Sequence, residues 1–109
     1  MQFLTRALFA AAALATVALS NMHSGAICVN KDPREISGEG TKFDKNATML
    51  ACAEYKIRNT GLEKHDRCPD CVFLDTADTQ FCESKDEHIG GNEFKGYCQA
   101  FGAEGSRAA

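Results

Sequence analysis

The chain has 109 residues, a formal net charge of −3, six cysteines and no tryptophan. The acidic balance excludes nucleic-acid binding by phosphate neutralisation and a cationic membrane-lytic mode. Charges of both signs are mixed along the chain, and beyond residue 20 there is no internal repeat or low-complexity segment.

The first predicted element is a targeting signal. Arg6 gives a basic start, Ala7 to Leu19 is an uncharged apolar run, and Ala18 and Ser20 are small. These are the marks of a secretory signal peptide over residues 1–20, cut after Ser20, with a cut near Ser24-Gly25 as the alternative. The run holds roughly 13 residues, and a membrane-spanning helix needs about 20. No later stretch is long and apolar enough to span. Cleavage would leave residues 21–109 as a single cysteine-rich domain of 89 residues with a charge of −4, because Arg6 is the only charge removed.

Ordering a domain of that length costs on the order of 130 kcal/mol in conformational entropy. Few large apolar residues are available to offset it. Six cysteines answer this need: Cys28, Cys52, Cys68, Cys71, Cys82 and Cys98. An even set in a small secreted chain reads as three disulfides, each worth roughly 2–4 kcal/mol. The sequence leaves their pairing open.

The stretch Arg67-Cys-Pro-Asp-Cys71 raises two other readings. A reactive dithiol would sit at a helix N-terminus after a strand, but Cys68 follows the polar run EKHDR, and Asp70 disfavours a thiolate. A zinc site would draw on Cys68, Cys71, Cys82, Cys98 and His65 or His88, but the later spacings do not complete a zinc pattern. The favoured reading is structural, with Cys68 and Cys71 bridging to different parts of the chain. No metal and no cofactor is expected.

In chain order, Gly25 to Val29 is the first predicted strand. Lys31 to Lys45 reads as a long loop, with an extended turn at Glu35-Ile36-Ser37. Asn46 to Gly61 reads as a helix, with Asn46 as N-cap and Gly61 past its end. Met49, Ala53 and Ile57 recur every four residues and predict its buried face, with Glu54 and Arg58 paired outside. Gly61 to Asp70 is a polar connection. Cys71 to Asp75 and Gln80 to Glu83 predict a hairpin turning at Ala77-Asp78. Ser84 to Gly91 is turn-rich, with Ile89 as its apolar anchor. Phe94, Tyr97, Cys98 and Phe101 have helical spacing between Asn92 as N-cap and Gly102. The tail near residues 103–109 is expected to be poorly ordered or a short edge strand.

The implied fold is a small disulfide-stapled α+β domain, a short antiparallel sheet with two helices packed on one face. Its core would set Met49, Ile57, Phe94, Tyr97 and Phe101 against Ile27, Val29, Phe73 and Phe81.

The signal peptide, the helix start Ala47-Thr48-x-x-Ala51-Cys52, Cys68-x-x-Cys71, Cys82-x-Ser84 and Ile89-Gly90-x-x-x-Phe94-x-x-x-Cys98 together give the chain a resemblance. It resembles the small secreted cysteine-rich effectors of plant-associated fungi. The element order is similar to their killer-protein-like branch, strand–helix–hairpin–helix–strand, from which this chain departs in having little or no final strand. The resemblance implies a monomeric, extracellular virulence protein that binds a host protein or apoplastic ligand and interferes with host defence. Transfer into host cells is an alternative site of action. It implies no enzymatic activity.

Two other functions compete with this one. A secreted antimicrobial or killer-type toxin fits the cysteine content, though acidic charge opposes lysis. A small ribonuclease-like hydrolase could pair a histidine with an acid and hold phosphate with a cation. His65-Asp66-Arg67 and Asp86-Glu87-His88 contain such groups, and solvated loop histidines account for both. His23 lies near the expected new N-terminus. No catalytic motif with credible spacing is present, so no catalytic residue is assigned. Asn46-Ala47-Thr48 is an N-glycosylation sequon, and Asn46 is its acceptor.

Overall fold

The computed structural model describes residues 22–34 and 40–109. The expected signal peptide, Asn21 and the expected turn at residues 35–37 lie outside them. The elements are β1 (Met22–His23), β2 (Gly25–Lys31), β3 (Thr41–Phe43), α1 (Lys45–Lys56), β4 (Val72–Asp75), β5 (Gln80–Glu83), β6 (Ile89–Gly90), α2 (Gly91–Ala100) and β7 (Gly105–Ala108), with a 3₁₀ turn at Lys64–Asp66.

Strand β2 is the hub. One edge pairs with β5 at Gly25 and Ala26, then with β3 from Val29 to Lys31, while its other edge pairs with β7 from Ala26 to Val29. β5 in turn pairs with β4 in the predicted hairpin. All these pairings are antiparallel, and β1 and β6 form a separate two-stranded ladder. Ala26, Cys28, Phe73 and Cys82 point to one face of the sheet. Both helices pack there, and each is tied to it by a disulfide. The fold is therefore the expected α+β domain.

Four expectations need correction. The tail is the short edge strand, not a disordered end: β7 completes the second edge of β2, and the backbone of Ala109 bonds to Ser24 and Gly25. The chain thus has a final strand where little or none was expected. Asp44, not Asn46, caps α1, because its carboxylate accepts the Ala47 N–H at 3.0 Å. The helix also stops earlier than Gly61, at Lys56.

The fourth correction is the buried face of α1. It carries Ala47, Thr48, Ala51, Cys52 and Tyr55, whereas Met49 is 40 % and Ile57 73 % exposed. Three restraints set this rotation. Cys52 must reach Cys82 on β5. The Thr48 hydroxyl accepts the buried Cys28 N–H at 2.8 Å and donates to the Asp44 carbonyl at 2.7 Å. Ala47 and Ala51 are small enough to let the helix lie close to the sheet. Arg58 turns away from Glu54 toward Asp66 and Tyr97.

Helix α2 follows its sequence more closely. Phe94 and Cys98 are fully buried, with Tyr97 and Phe101 packed against the core. Gly90, rather than Asn92, stands at its N-cap. Gly102 takes φ +92° just past its end, where the N–H of Ala103 bonds to the Cys98 carbonyl and that of Gly102 to the Gln99 carbonyl. That closure needs a left-handed residue, which glycine adopts without a Cβ penalty.

Candidate functional site

The six cysteines pair as Cys28–Cys98, Cys52–Cys82 and Cys68–Cys71. The third pairing corrects the expectation that Cys68 and Cys71 reach different parts of the chain. Pro69 and Asp70 form a turn in which the Cys71 N–H bonds to the Cys68 carbonyl, folding one sulfur onto the other. Asp70 secures the turn from outside: its carboxylate accepts the Ser84 hydroxyl at 2.8 Å and the Asp86 N–H at 2.9 Å. Burial works to raise the Asp70 pKa, but these two donors, together with His88 and the Asp70 backbone N–H, outweigh it and hold the carboxyl below the usual range.

The Sγ atoms of Cys52, Cys71 and Cys82 lie within 4.8 Å of one another. This is the one cluster with metal-ligand spacing found among the described residues. Its sulfurs are bonded in disulfides, so none is the thiolate that zinc takes.

The histidines of the hydrolase reading separate. His65 Nε2 stands 3.6 Å from Asp66 Oδ1 and 3.9 Å from Glu93 Oε1. His88 has a different partner, its Nδ1 3.0 Å from the Lys64 carbonyl. The cation paired with Asp66 is Arg58, held 3.9 Å from it and donating to the Tyr97 hydroxyl at 3.2 Å. Its guanidinium lies over both the Tyr55 and Tyr97 rings, and its buried Nε has no hydrogen-bond partner among the described residues. A cavity of about 380 Å³ opens beside Arg58, with Glu93, Gly96 and Tyr97 in its wall and His65 outside it. A phosphate approaching Arg58 would meet the carboxylates of Asp66 and Glu93, so the cluster is suited to holding the helices together.

A different surface has the shape of a binding site. On the sheet face away from the helices, Ile27, Phe81 and Arg107 line an apolar groove of about 340 Å³. Gly25 eases its floor: a Cβ there would stand 3.1 Å from the Phe81 ring, so glycine lets the ring lie over β2 without having to shift. Arg107 is the register partner of Ile27 and puts a cation at the groove wall. Sequence reasoning placed Ile27 and Phe81 in the core. The alternation of β2 and β5 was a signal that Ile27 and Phe81 oppose Cys28 and Cys82, but the partner β7 was needed to reveal a groove.

Asn46 is exposed in the first turn of α1, so a glycan on it would project away from the core. The sequon hydroxyl of Thr48 is fully buried, so attachment would have to precede folding of α1.

Residues 21–106 match the family of biotrophy-associated secreted protein 4. The chain belongs to that family. Membership of the biotrophy-associated secreted family supports an extracellular location and an effector-like class. No curated protein and no solved structure matches. No helix among the described residues is long and apolar enough to cross a membrane.

Proposed function

We propose that the protein is a secreted, non-enzymatic effector of a plant-associated fungus. It acts as a monomer at the host interface, binding a host protein or apoplastic ligand and so interfering with host defence. The observation that carries this reading is the family match over residues 21–106, which takes in nearly the whole described domain. The strand–helix–hairpin–helix–strand order, now with β7 at its end, supports placing it in the killer-protein-like branch. The uncovered groove at Ile27, Phe81 and Arg107 is the contact surface in this reading: an apolar base for burial and a cation at its wall for orientation. Catalysis is not assigned in this reading: among the described residues, the cation beside His65 and Asp66 is Arg58, which is engaged by Asp66 and Tyr97.

The test compares two variants for suppression of an elicitor-induced defence response in host tissue. His65→Ala with His88→Ala is expected to stay within a few-fold of the parent, since losing a general acid–base group costs about 10²–10⁴ in rate. Arg107→Glu, on an exposed residue, is expected to remain folded and to lose most activity. Loss of activity in a folded double-histidine variant would make a hydrolase the leading function.

A further inference from the structure

The Cys68–Cys71 bridge closes a sequence separation of 3, whereas Cys52–Cys82 and Cys28–Cys98 span 30 and 70. A bridge over so short a loop removes little freedom from the unfolded chain, so the fold depends on it least. Yet it is placed against the core. Cys71 Sγ lies within 4.8 Å of both sulfurs of the Cys52–Cys82 bridge. A groove of about 210 Å³ between α1 and β4 has Cys52 and Cys71 in its wall, together with Lys56.

The two ends of the short bridge have different electrostatic surroundings. Cys68 Sγ is 3.6 Å from Asp70 Oδ1, and a carboxylate at that distance disfavours a thiolate on Cys68. Among the described residues no carboxylate is paired with the Cys71 sulfur, and the one charged residue lining its groove is the basic Lys56. Electrons entering the bridge therefore settle on Cys71, the sulfur that faces the second disulfide.

We propose that Cys68–Cys71 and Cys52–Cys82 form one thiol–disulfide exchange site for a small external thiol, with Cys71 as the relay. Both flanking residues of Cys68, Arg67 and Pro69, are exposed, so local opening of this turn admits the thiol. The thiolate attacks Cys68 Sγ and forms a mixed disulfide, and the Cys68–Cys71 bond breaks with its electron pair on Cys71. The Cys71 thiolate attacks Cys82 or Cys52, forming a new bridge and releasing the other as thiolate. A second external thiolate attacks the external sulfur of the mixed disulfide, releasing the oxidised external disulfide and the Cys68 thiolate. Two protons from the external thiols end on the two freed cysteines. The balance is two thiols consumed, one external disulfide formed and one protein bridge reduced. When Cys71 pairs with Cys82, α1 loses its covalent tie to β5.

The test uses the full secreted chain and reduced glutathione. Partly reduced protein is trapped by acid quench and alkylation, and its bridges are mapped by peptide mass spectrometry. The first opened species should carry glutathione or a free thiol on Cys68, with Cys71 joined to Cys52 or Cys82. Two single variants sharpen this. In Cys68→Ser the one unpaired thiol should distribute over Cys52, Cys71 and Cys82, whereas in Cys71→Ser it should stay on Cys68. The proposal is overturned if another bridge opens first while Cys68–Cys71 stays intact, or if Cys71 never crosses to Cys52 or Cys82. Should Cys68→Ser fail to fold, the map of the parent chain decides alone.

Discussion

The Tyr55 hydroxyl donates to the His65 carbonyl at 2.7 Å, tying the middle of the protein to its longest polar connection. The same oxygen accepts the buried Gly90 N–H at 3.0 Å. One side-chain atom thus satisfies backbone groups from the 3₁₀ turn and the start of α2. Burial raises the Tyr55 pKa, so the hydroxyl remains a neutral donor through the physiological range. Tyr55→Phe keeps the ring contacts with Phe94 and Tyr97 but leaves both backbone groups unpaired. It should cost about 1–3 kcal/mol. Urea unfolding should show a lower midpoint with an unchanged m-value.

The three bridges should differ in worth. By loop-closure entropy, Cys68–Cys71 contributes about 2 kcal/mol and each of the other two about 4 kcal/mol. Paired Cys→Ser replacements should follow that order in thermal unfolding. The Cys68/Cys71 variant should fold and secrete, and the Cys28/Cys98 variant should be the most damaged. The parent protein should show no free thiol when alkylated without reduction.

Asn46 and Thr48 separate glycosylation from stability. Asn46→Gln and Thr48→Val both erase the sequon, so each should remove any mass that an endoglycosidase removes from the parent. Asn46 is exposed, and its loss should change stability by no more than about 0.5 kcal/mol. Thr48→Val strands the Cys28 N–H in the core and should cost about 1–3 kcal/mol. Thr48→Ser should preserve both properties.

Acid should destabilise the fold through three carboxylates. Thr60 donates to Asp66, Lys45 pairs with Asp75, and Asp70 is held down by the Asp86 and Ser84 donors named above; all three pKa values lie below the ordinary carboxylate value. A depressed folded pKa gives stability that is complete above the unfolded value, about 3.9, and is lost as pH falls through the folded value. Urea midpoints should therefore drop below about pH 4. Asp70→Asn should lower stability at neutral pH and make the acid dependence shallower.

The hairpin of β4 and β5 and the spacing of α2 were legible because each is a local pattern with its turn or cap beside it. The face of α1 was not. Met49 and Ile57 carry the larger hydrophobicity, but a disulfide, a buried hydroxyl and two alanines decided the rotation. β3 was missed and β7 was left as one of two alternatives, because both are short and gain order only by pairing with β2. The Cys68–Cys71 pairing depended on turn geometry clamped by Asp70 from residues 84 and 86. The groove at Ile27, Phe81 and Arg107 needs three strands from distant parts of the chain, so no local signal could announce it.

The pairing of β2 with β7 also governs when the molecule can fold. Ala26 must meet Ala108, and Val29 must meet Gly105, so the central strand waits for a partner about 80 residues further along the chain to be synthesised. Until then β2 has one open edge and Cys28 has no docked α2 to join. Contacts so distant in sequence make the closing step slow compared with a helical domain of the same size. The chain is thus kept loose while it is being made, which suits a polypeptide that must be threaded through a translocation channel before its bridges form.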